Sequence, residues 1–461
     1  MDKIGVLVVS YGSREVAMVD AFSRSKKYHV DLYIADRHRN PFNASKAKEH
    51  AVIPDLSVEG ICRFAQKHQG DIAFGIVGPE GPIIAGVRDI VEKETEIPII
   101  CPTKQYALEG SKIAQRLLFQ EVIPEANPRF KVFDPKNYPT EDAVRKDLWS
   151  WLEELDNQAV VKPDGVTAGK GVGVWGDHFT DRAQLLGHFL SNYKYGPVIV
   201  EEKIVGEESS FQAFCDGRRL VPLPETRDNK RAFDGDKGPN TGGMGSYKDA
   251  KNWLPFMTRG EWDTEVELAN KLLRKLKARG ANPGLRGIPF YLAFMHTGKG
   301  LKILECNSRP GDPEIQNLLP IMKDDLVDVC LRMIEGTLTG VEFEREATVV
   351  TYKVPPTYGG KMNEYSGDRR VFLSEAYKLS EMCGGRMRIY PGAIELRNGE
   401  MHVLSSRAVC AVGIDKEIQG AREICLKGID AIKGGSLWNR EDIASKEHIE
   451  SSIQHMKMLR R

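Results

Sequence analysis

The 461-residue sequence lacks several features that would assign it to a familiar class of protein. Lysine plus arginine and aspartate plus glutamate both number 65, so the formal net charge is zero. No global field would therefore attract a polyanion, which argues against general nucleic-acid binding. No apolar run approaches the roughly 18 residues of a membrane span. We expect neither a nucleic acid nor a membrane as partner.

Sequence signals of secretion and of several hydrolase classes are also missing. The eight cysteines are scattered without a Cys-x-x-Cys pair, and several sit in apolar runs, as reduced core thiols do. The first ten residues carry no small-residue cleavage site and are typical of a strand. Gly-x-Ser-x-Gly and His-Glu-x-x-His are absent. These observations predict a cytoplasmic protein and give no sign of those two hydrolase classes.

What is present is an ordinary globular composition and an alternation of strands and helices. Hydrophobic residues make up 41% and charged residues 28%, and the length suggests roughly three domains. Strands predicted at 3–10, 30–35, 71–77 and 97–101, separated by helical patterns, indicate a parallel sheet that binds ligands at its carboxyl ends. The first turn, Tyr11–Glu15, is not a dinucleotide fingerprint, because Gly-x-Gly-x-x-Gly is missing.

The rest of the chain is less regular. Residues 198–202 and 209–214 are predicted to form a strand pair, and 225–248 a long polar loop, which inside a compact domain is usually functional or disordered. Other predicted segments are helices at 109–119, 142–155, 261–279, 318–335 and 416–431, and strands at 159–162 and 172–175.

The most informative motif is Ile303-Leu-Glu-Cys-Asn-Ser-Arg-Pro-Gly-Asp-Pro-Glu-Ile-Gln316. If its strand continues, Glu305, Asn307 and Arg309 share one face, because alternate residues of a strand point the same way. A carboxylate, an amide oxygen and a guanidinium suit a divalent cation, nucleotide phosphates and an anionic substrate. The alternative is an edge strand with a solvated polar face.

A second motif is the glycine-rich segment Lys162–Val174 between two short strands. Glycines at 165, 169, 171 and 173 allow backbone N–H groups to approach phosphates, and Lys162 and Lys170 add positive charge. It is not a Walker A loop, because Gly165 and Gly169 enclose three residues instead of four.

Two further segments carry dense charge. Glu201, Glu202 and Glu208 lie at the end of one predicted strand and the start of the next, where carboxylates can accept from ribose hydroxyls. A solvated turn is the alternative. Residues 227–245 combine mixed charge with a glycine-rich run that suits a segment folding over phosphates and metal. A disordered surface loop remains the alternative for that segment.

In this order, the motifs resemble those of ATP-grasp enzymes, and more narrowly those of the phosphoribosylamine–glycine ligase family. The resemblance spans nearly the whole chain. It rests on Gly12-Ser-Arg-Glu15, Gly78-Pro-Glu80, Pro102-Thr-Lys104, Glu109-Gly-Ser-Lys112, Lys162–Val174, Glu201–Ser209, Asp228–Lys230, Gly238–Tyr247 and Asn307–Gln316.

The resemblance implies an α/β ATP-grasp fold with an N-terminal Rossmann-like parallel-sheet domain and a smaller C-terminal α+β domain. The expected divisions are 1–108, 109–338 with a lid at about 130–205, and 339–461. The implied reaction joins glycine to 5-phosphoribosylamine through a glycyl phosphate and gives glycinamide ribonucleotide, ADP and phosphate. The expected partners are these small molecules and ATP, and we expect a monomer.

The resemblance also implies roles for individual residues. Glu305 and Asn307 would ligate Mg²⁺ or Mn²⁺, and Arg309, Lys162 and Asp228 would be catalytic. The substrate-binding residues would be Gly78, Pro79, Glu80, Asp228 and Arg309. The ATP-binding residues would be Lys112, Lys162, Gly169, Lys170, Gly171, Glu201, Glu202, Glu208 and Lys230.

Several positions depart from the usual motifs of that family. Ser13 and Val16 replace a glycine and a histidine in the first turn, Asn229 replaces a histidine, and Pro310 replaces a phenylalanine. Residues 166–167 are Val-Thr where Leu-Ala is common. These changes leave the metal and phosphate residues intact and bear on the sugar-phosphate pocket.

Two other functions stay open at this point. The ATP motifs do not specify the amine acceptor, so another ATP-grasp carboxylate–amine ligase would fit them. A non-catalytic nucleotide-binding module would show damage to the metal pair or to the phosphate lysines. Glu305, Asn307, Lys112 and Lys162 are all present.

Overall fold

The computed structural model describes residues 1–165, 171–279 and 282–461. Its N-terminal part is a five-stranded parallel sheet in the order β3-β2-β1-β4-β5. The elements are β1 (Asp2–Ser10), α1 (Ser13–Ser23), β2 (Tyr28–Asp36), α2 (Pro41–Lys46), β3 (Glu49–Val52), α3 (Val58–Lys67), β4 (Ile72–Val77), α4 (Glu80–Ala85), α5 (Val87–Thr95) and β5 (Ile99–Ile100).

The central strand β1 is buried on both faces, as parallel sheets covered by helices require. Val6 and Val8 belong to one hydrophobic core, and Leu7 and Val9 belong to another, because successive side chains point to opposite faces. The strand order reverses between β1 and β4. Ligands of open α/β sheets bind at such a point, beyond the carboxyl ends of the strands.

A separate small sheet, here called the lid sheet, follows with the order β6-β9-β7-β8. Its ladder is antiparallel, and it has its own core, which includes Phe133, Leu148 and Val200. The elements are α6 (Lys112–Val122), β6 (Phe130–Phe133), α7 (Glu141–Glu154), β7 (Ala159–Pro163), β8 (Gly173–Val174), α8 (Arg182–Tyr193) and β9 (Val198–Glu202).

The next segment supplies the antiparallel core sheet, which has the order β11-β10-β16-β17 and ends in β17. Helix α9 packs against it through Leu268, Leu272 and Leu276. The elements are β10 (Glu207–Asp216), β11 (Leu220–Pro222), β12 (Arg227–Asp228), β13 (Arg231–Phe233), β14 (Lys237–Asn240), β15 (Gly245–Lys248), α9 (Arg259–Arg279), β16 (Arg286–Thr297) and β17 (Gly300–Asn307).

A second five-stranded sheet joins C-terminal strands to two strands from the middle of the chain, in the order β12-β15-β18-β23-β20. It places Asp228 and the β13–β14 hairpin beside the C-terminal region. The elements are α10 (Glu314–Leu318), α11 (Leu326–Glu335), β18 (Ala347–Lys353), β19 (Val371–Phe372), α12 (Ser374–Met382), β20 (Met387–Pro391), β21 (Ile394–Arg397), β22 (Glu400–Val403), β23 (Val409–Asp415), α13 (Ile418–Ala431), β24 (Lys433–Gly434) and α14 (Lys446–Leu459).

Several helices begin at a side chain that accepts from the first turn. Ser111 accepts from Ala114 N at 3.1 Å before α6, and Asp181 accepts from Gln184 N at 2.8 Å before α8. Such caps satisfy N–H groups that the helix itself leaves free. Within residues 1–165, 171–279 and 282–461, no helix combines the length and apolarity needed to cross a bilayer.

Three expectations about secondary structure were wrong. Segment 225–248 is not a long loop, since it holds β12 to β15, and β15 pairs with β18. Strands β9 and β10 lie in different sheets and do not pair with each other. Segment 318–335 is not one helix, because the chain turns at Leu319–Ile321, around Pro320, before α11 begins.

Candidate active site

Two lysines predicted to contact phosphates lie where the lid sheet meets the core sheet. Lys112 is the first residue of α6, and Lys162 lies in β7. The Lys112 Nζ donates to the carbonyl oxygen of Gly165. Burial lowers the pKa of Lys112, the charge of Glu305 raises it, and the charge of Lys162 lowers it further. The two ammonium groups therefore form a pair that attracts anions and acts on Glu305.

Glu201 is a buried carboxylate beneath Lys162. Its Oε2 lies 2.7 Å from the Lys162 Nζ, and Arg116 Nε and Nη2 donate to its two oxygens at 2.6 and 2.9 Å. Burial acts to raise the pKa of Glu201, but Arg116 and Lys162 hold it at about 2. Glu202, the next residue of β9, points to the other face and accepts from Arg129 Nε at 3.0 Å. The two glutamates therefore act in different surroundings.

Lys230 lies between the carboxylates of Glu208 and Glu305. Its Nζ donates to Glu208 and lies 3.8 Å from Glu305 Oε1. Burial acts to lower the pKa of Lys230, but the two carboxylates raise it above its ordinary value. Burial acts to raise the pKa of Glu305, yet Lys230, Lys162 and Lys112 lower it below its ordinary value. Three lysines, one in α6, one in β7 and one between β12 and β13, thus act on the charge of one carboxylate.

Glu305 and Asn307 lie on the same face of β17, opposite Ala293 and Tyr291 of β16. The Glu305 side chain is 38% exposed and Asn307 is buried. Both offer oxygen atoms, which Mg²⁺ and Mn²⁺ prefer. In the part of the chain that the structure describes, no group of three or more His, Cys, Asp or Glu side chains is arranged to hold a metal ion. A cation at this pair would need further oxygens, such as those of phosphates.

The predicted substrate residues of the N-terminal sheet meet the guanidinium of Arg309. Its Nη2 lies 3.2 Å from Glu109 Oε1, and its Nε lies 3.6 Å from Glu80 Oε2. Burial acts to lower the pKa of Arg309, and the two carboxylates raise it above its ordinary value. Gly78 and Pro79 lead into Glu80 after β4, and a Cβ on Gly78 would lie 1.7 Å from Glu15 Oε1. Glycine is therefore required at that position.

Asp228 is the least satisfied carboxylate of the site. Its Oδ1 is buried and has no hydrogen-bond partner among the described residues. Burial raises the pKa of Asp228 well above its ordinary value, and the nearby Glu314 raises it further. Gly243 approaches closely, since a Cβ there would lie 2.7 Å from Asp228 Oδ1, and its φ is +107°. A buried acceptor without a donor suits a ligand that brings an N–H group.

Most of the predicted residues are brought together, and a few stand apart. Gly169 and Lys170 lie outside the described residues. Gly171 has a φ of +84°, and its carbonyl oxygen lies 2.9 Å from His188 Nε2. Glu202 is displaced from the lysines by its opposite orientation on β9.

Several residues outside the predicted set also lie in the site. Arg14 donates to Pro310 O at 3.1 Å, and Glu314 accepts from the Tyr291 hydroxyl. Arg407 Nη2 donates to Asp312 Oδ2 at 2.7 Å. Arg14, Glu109 and Glu314 lie within motifs that the sequence analysis had identified. Their position in those motifs is the signal by which they could have been found.

The lid sheet, the core sheet and the three lysines that act on Glu305 are the features of an ATP-grasp ligase. The comparisons with known proteins agree. The family description "Phosphoribosylglycinamide synthetase, N domain" matches residues 4–109, and "Phosphoribosylglycinamide synthetase, ATP-grasp (A) domain" matches residues 118–315. The chain belongs to the phosphoribosylamine–glycine ligase family, known also as phosphoribosylglycinamide synthetase.

Individual relatives match over nearly their whole length. A phosphoribosylamine–glycine ligase of Methanobrevibacter smithii is 36% identical over 458 residues, covering 98% of this chain and 99% of the relative. One of Pyrococcus furiosus is 36% identical over 461 residues, covering 99% and 98%. The crystal structure of the Thermotoga maritima enzyme of that name has a TM-score of 0.75 at 24% identity, over 95% of this chain and 100% of that one. This last likeness concerns the fold and confirms the predicted α/β ATP-grasp class.

Proposed function

We propose that this chain joins glycine to 5-phosphoribosylamine at the expense of ATP, through a glycyl phosphate, and releases glycinamide ribonucleotide, ADP and phosphate. The observation that carries the proposal is the position of the Lys230 Nζ, 3.8 Å from Glu305 Oε1, together with the charges of Lys162 and Lys112, which also lower the pKa of Glu305. A cationic cluster beside one carboxylate suits phosphates and a divalent cation, and membership of the ligase family supports the rest.

At the nucleotide end, Lys112, Lys162 and Lys230 would neutralise the phosphates. The triphosphate oxygens would replace Gly165 O as the partner of Lys112 and share Lys162 with Glu201. Glu202 and Glu208 are proposed for the adenosine end. Glu201 is proposed to act at the phosphate end through Lys162, and Gly169, Lys170 and Gly171 are proposed for the triphosphate. Phosphoryl transfer requires little covalent chemistry from a protein. Catalysis therefore comes mostly from positioning the reactants and neutralising their charge.

Glu305 and Asn307 are the residues that would hold Mg²⁺ or Mn²⁺. Their oxygens fit such an ion, and the open face of Glu305 leaves room for phosphate oxygens as the remaining ligands. When bound, the ion would offset charge on the phosphates. The choice between the two metals stays a prediction.

At the acceptor end, Arg309 and Asp228 would bind glycine and the amine. The glycine carboxylate attacks the γ-phosphorus, the bond to ADP breaks, and a glycyl phosphate forms. The amine of phosphoribosylamine then attacks the acyl carbon, loses a proton and expels phosphate. Arg309 would offset the carboxylate charge, and Asp228 Oδ1 would accept from an amine. Gly78, Pro79 and Glu80 would line the phosphoribosylamine side.

Other predictions accompany this proposal. The proposed division is 1–108, 109–338 and 339–461, and β15 pairs with β18 across the last boundary. A monomer in the cytoplasm, without nucleic acid or membrane as partner, also stays a prediction.

The direct test supplies purified protein with ATP, Mg²⁺ and glycine, with and without phosphoribosylamine generated in place. ADP release and the product mass are measured. ADP and glycinamide ribonucleotide should form only when both co-substrates are present. ATP turnover without that product would point to another amine acceptor and contradict the proposal, as would nucleotide binding without turnover.

A further inference from the structure

Arg116 is a buried arginine of α6 that contacts both sheets of the site. Its side chain is 3% exposed. The Nε and Nη2 atoms donate to the two carboxylate oxygens of Glu201, at 2.6 and 2.9 Å. The Nη1 and Nη2 atoms donate to the carbonyl oxygens of Ile303 and Leu304, at 2.9 and 2.7 Å. A bond from Nη1 to Asn127 Oδ1 at 3.3 Å completes five, so each guanidinium N–H has an acceptor.

The two carbonyl groups belong to the outer edge of β17, the last strand of the core sheet. The neighbouring Gln115 holds the same edge, because its Nε2 donates to Cys306 O at 2.9 Å and its Oε1 accepts from Cys306 N at 2.8 Å. Helix α6 therefore binds the backbone on both sides of Glu305. An edge strand whose polar groups are satisfied in this way cannot shift without breaking several hydrogen bonds.

On the lid side, the same guanidinium acts through Glu201. The Glu201 carboxylate is shared between Arg116 and Lys162, both of them charged and largely buried. Because Arg116 already binds both oxygens, the ammonium of Lys162 keeps charge to offer to a phosphate. Without Arg116, Glu201 would neutralise Lys162 or take up a proton, since an unpaired buried charge is costly.

We propose that Arg116 is a positioning residue for the nucleotide phosphates. It fixes Lys162, through Glu201 on the lid sheet, relative to Glu305 on the core sheet. The proposal rests on the phosphate role proposed for Lys162, so its test separates binding from catalysis.

The test compares ATP with AMP as ligands of Arg116→Met and Arg116→Lys by titration calorimetry of the full chain with Mg²⁺. AMP lacks the β- and γ-phosphates. In Arg116→Met the Kd for ATP should rise roughly tenfold or more, as loss of a charge-assisted network implies, while that for AMP stays within about twofold. Arg116→Lys should recover part of the loss, since it restores charge without the bidentate geometry.

A double-mutant cycle sharpens the result. Glu201→Gln alone should also weaken the binding of ATP more than that of AMP. The double variant Arg116→Met/Glu201→Gln should lose much less ATP affinity than the two single losses combined, because both residues act on Lys162. The matched control is Arg88→Met, another buried arginine, which donates to Cys101 O at 2.9 Å in the N-terminal part. It should lower Tm without changing the ratio of ATP to AMP affinity.

Equal weakening of ATP and AMP, or a lower Tm with unchanged affinities, would overturn the positioning role. If Arg116→Met does not fold, Arg116→Lys and Glu201→Gln decide the question by the same ratio. A wild-type protein that binds ATP but forms no glycinamide ribonucleotide would refute the proposed function and leave this inference to be judged on the affinities alone.

Discussion

The two ends of the site differ in how their buried charges are satisfied. At the phosphate end, Glu201 is bound by Arg116 and Lys162, and its pKa is held at about 2. At the acceptor end, Asp228 has a buried oxygen without a partner among the described residues, beside a second acid, Glu314. Among the residues that the structure describes, the Glu201 carboxylate is fully paired, whereas Asp228 Oδ1 has no donor.

This difference distinguishes a carboxylate that stabilises the fold from a carboxylate that is available to bind a substrate. A carboxylate paired with two cations contributes to stability and fixes side-chain positions. A carboxylate that is desolvated and faces another acid lowers stability and is retained where function requires it. We therefore expect substitutions at the first end to affect nucleotide binding, and those at the second to separate activity from stability.

The largest expected effect comes from Lys162→Met, which removes charge at the phosphate end. The Arg116–Glu201 pair remains, so the fold should persist with a change in Tm of only a few degrees. The value of kcat/KM for ATP should fall by about 100- to 1000-fold, the range for loss of one preorganised donor to developing charge. Steady-state kinetics checks this. A loss below tenfold would show that Lys162 does not face the phosphates.

Asp228→Asn should lower activity without weakening ATP binding, unlike Lys162→Met. Activity should fall about 100-fold, because the carboxylate that would accept from the amine is lost. ATP affinity should stay within about twofold. Stability at pH 7 should rise by roughly 1 kcal/mol, since the like charge beside Glu314 is removed. Kinetics and urea unfolding measure the two quantities, and a loss of stability with activity retained would reverse the assignment.

The same variant and Glu201→Gln give a contrast in pH dependence. The pKa of Glu201 is lowered to about 2, so its stabilisation is complete above its ordinary pKa near 4.5 and is lost as pH falls toward 2. Glu201→Gln should thus cost about 3–5 kcal/mol at pH 7 and less at pH 4. The raised pKa of Asp228 means that its penalty grows as pH rises above about 4. The gain from Asp228→Asn should accordingly vanish at low pH.

The sequence predicted the parts of this comparison that depend on local spacing. Glu305, Asn307 and Arg309 were expected to share a face if the strand continued. Glu305 and Asn307 do, but β17 ends at Asn307, so Arg309 lies beyond the strand. Strand β15 could not be found this way. Gly245 to Lys248 are all buried, so no alternation of polar and apolar residues appears, and the strand is held by β18, far along the chain.

The partners of the charged residues were equally beyond sequence reasoning. Arg116 lies in the helix predicted at 109–119, but its acceptors Glu201 and Leu304 are distant in sequence, so no local pattern relates them. The unpartnered oxygen of Asp228 depends on how closely Gly243 packs, which no local pattern encodes. Residue types could therefore be predicted, but not which charges the fold satisfies.

The smallest expected effect concerns the contact between the lid sheet and the β13–β14 hairpin. Arg231 Nη2 donates to Asp177, which follows β8, and both side chains are partly exposed. The hairpin is also held from the other side by Arg440, which donates to Asp236 at 2.9 Å, so Asp177→Asn should not unfold it. A partly exposed ion pair contributes about 0.2–1 kcal/mol.

If that pair helps to keep the lid over the nucleotide, Asp177→Asn should raise the KM for ATP about two- to threefold and leave kcat nearly unchanged. Added salt should narrow the difference between the variant and the wild type, because screening weakens the pair in the wild type alone. Asp368→Asn, which removes the surface pair with Arg370, is the control and should change neither parameter. A tenfold rise in the KM for ATP would mean that the hairpin contact belongs to the phosphate end of the site. An unchanged KM at low salt would mean that ATP binding depends instead on the connection between the lid sheet and the core sheet through Arg116 and Glu201.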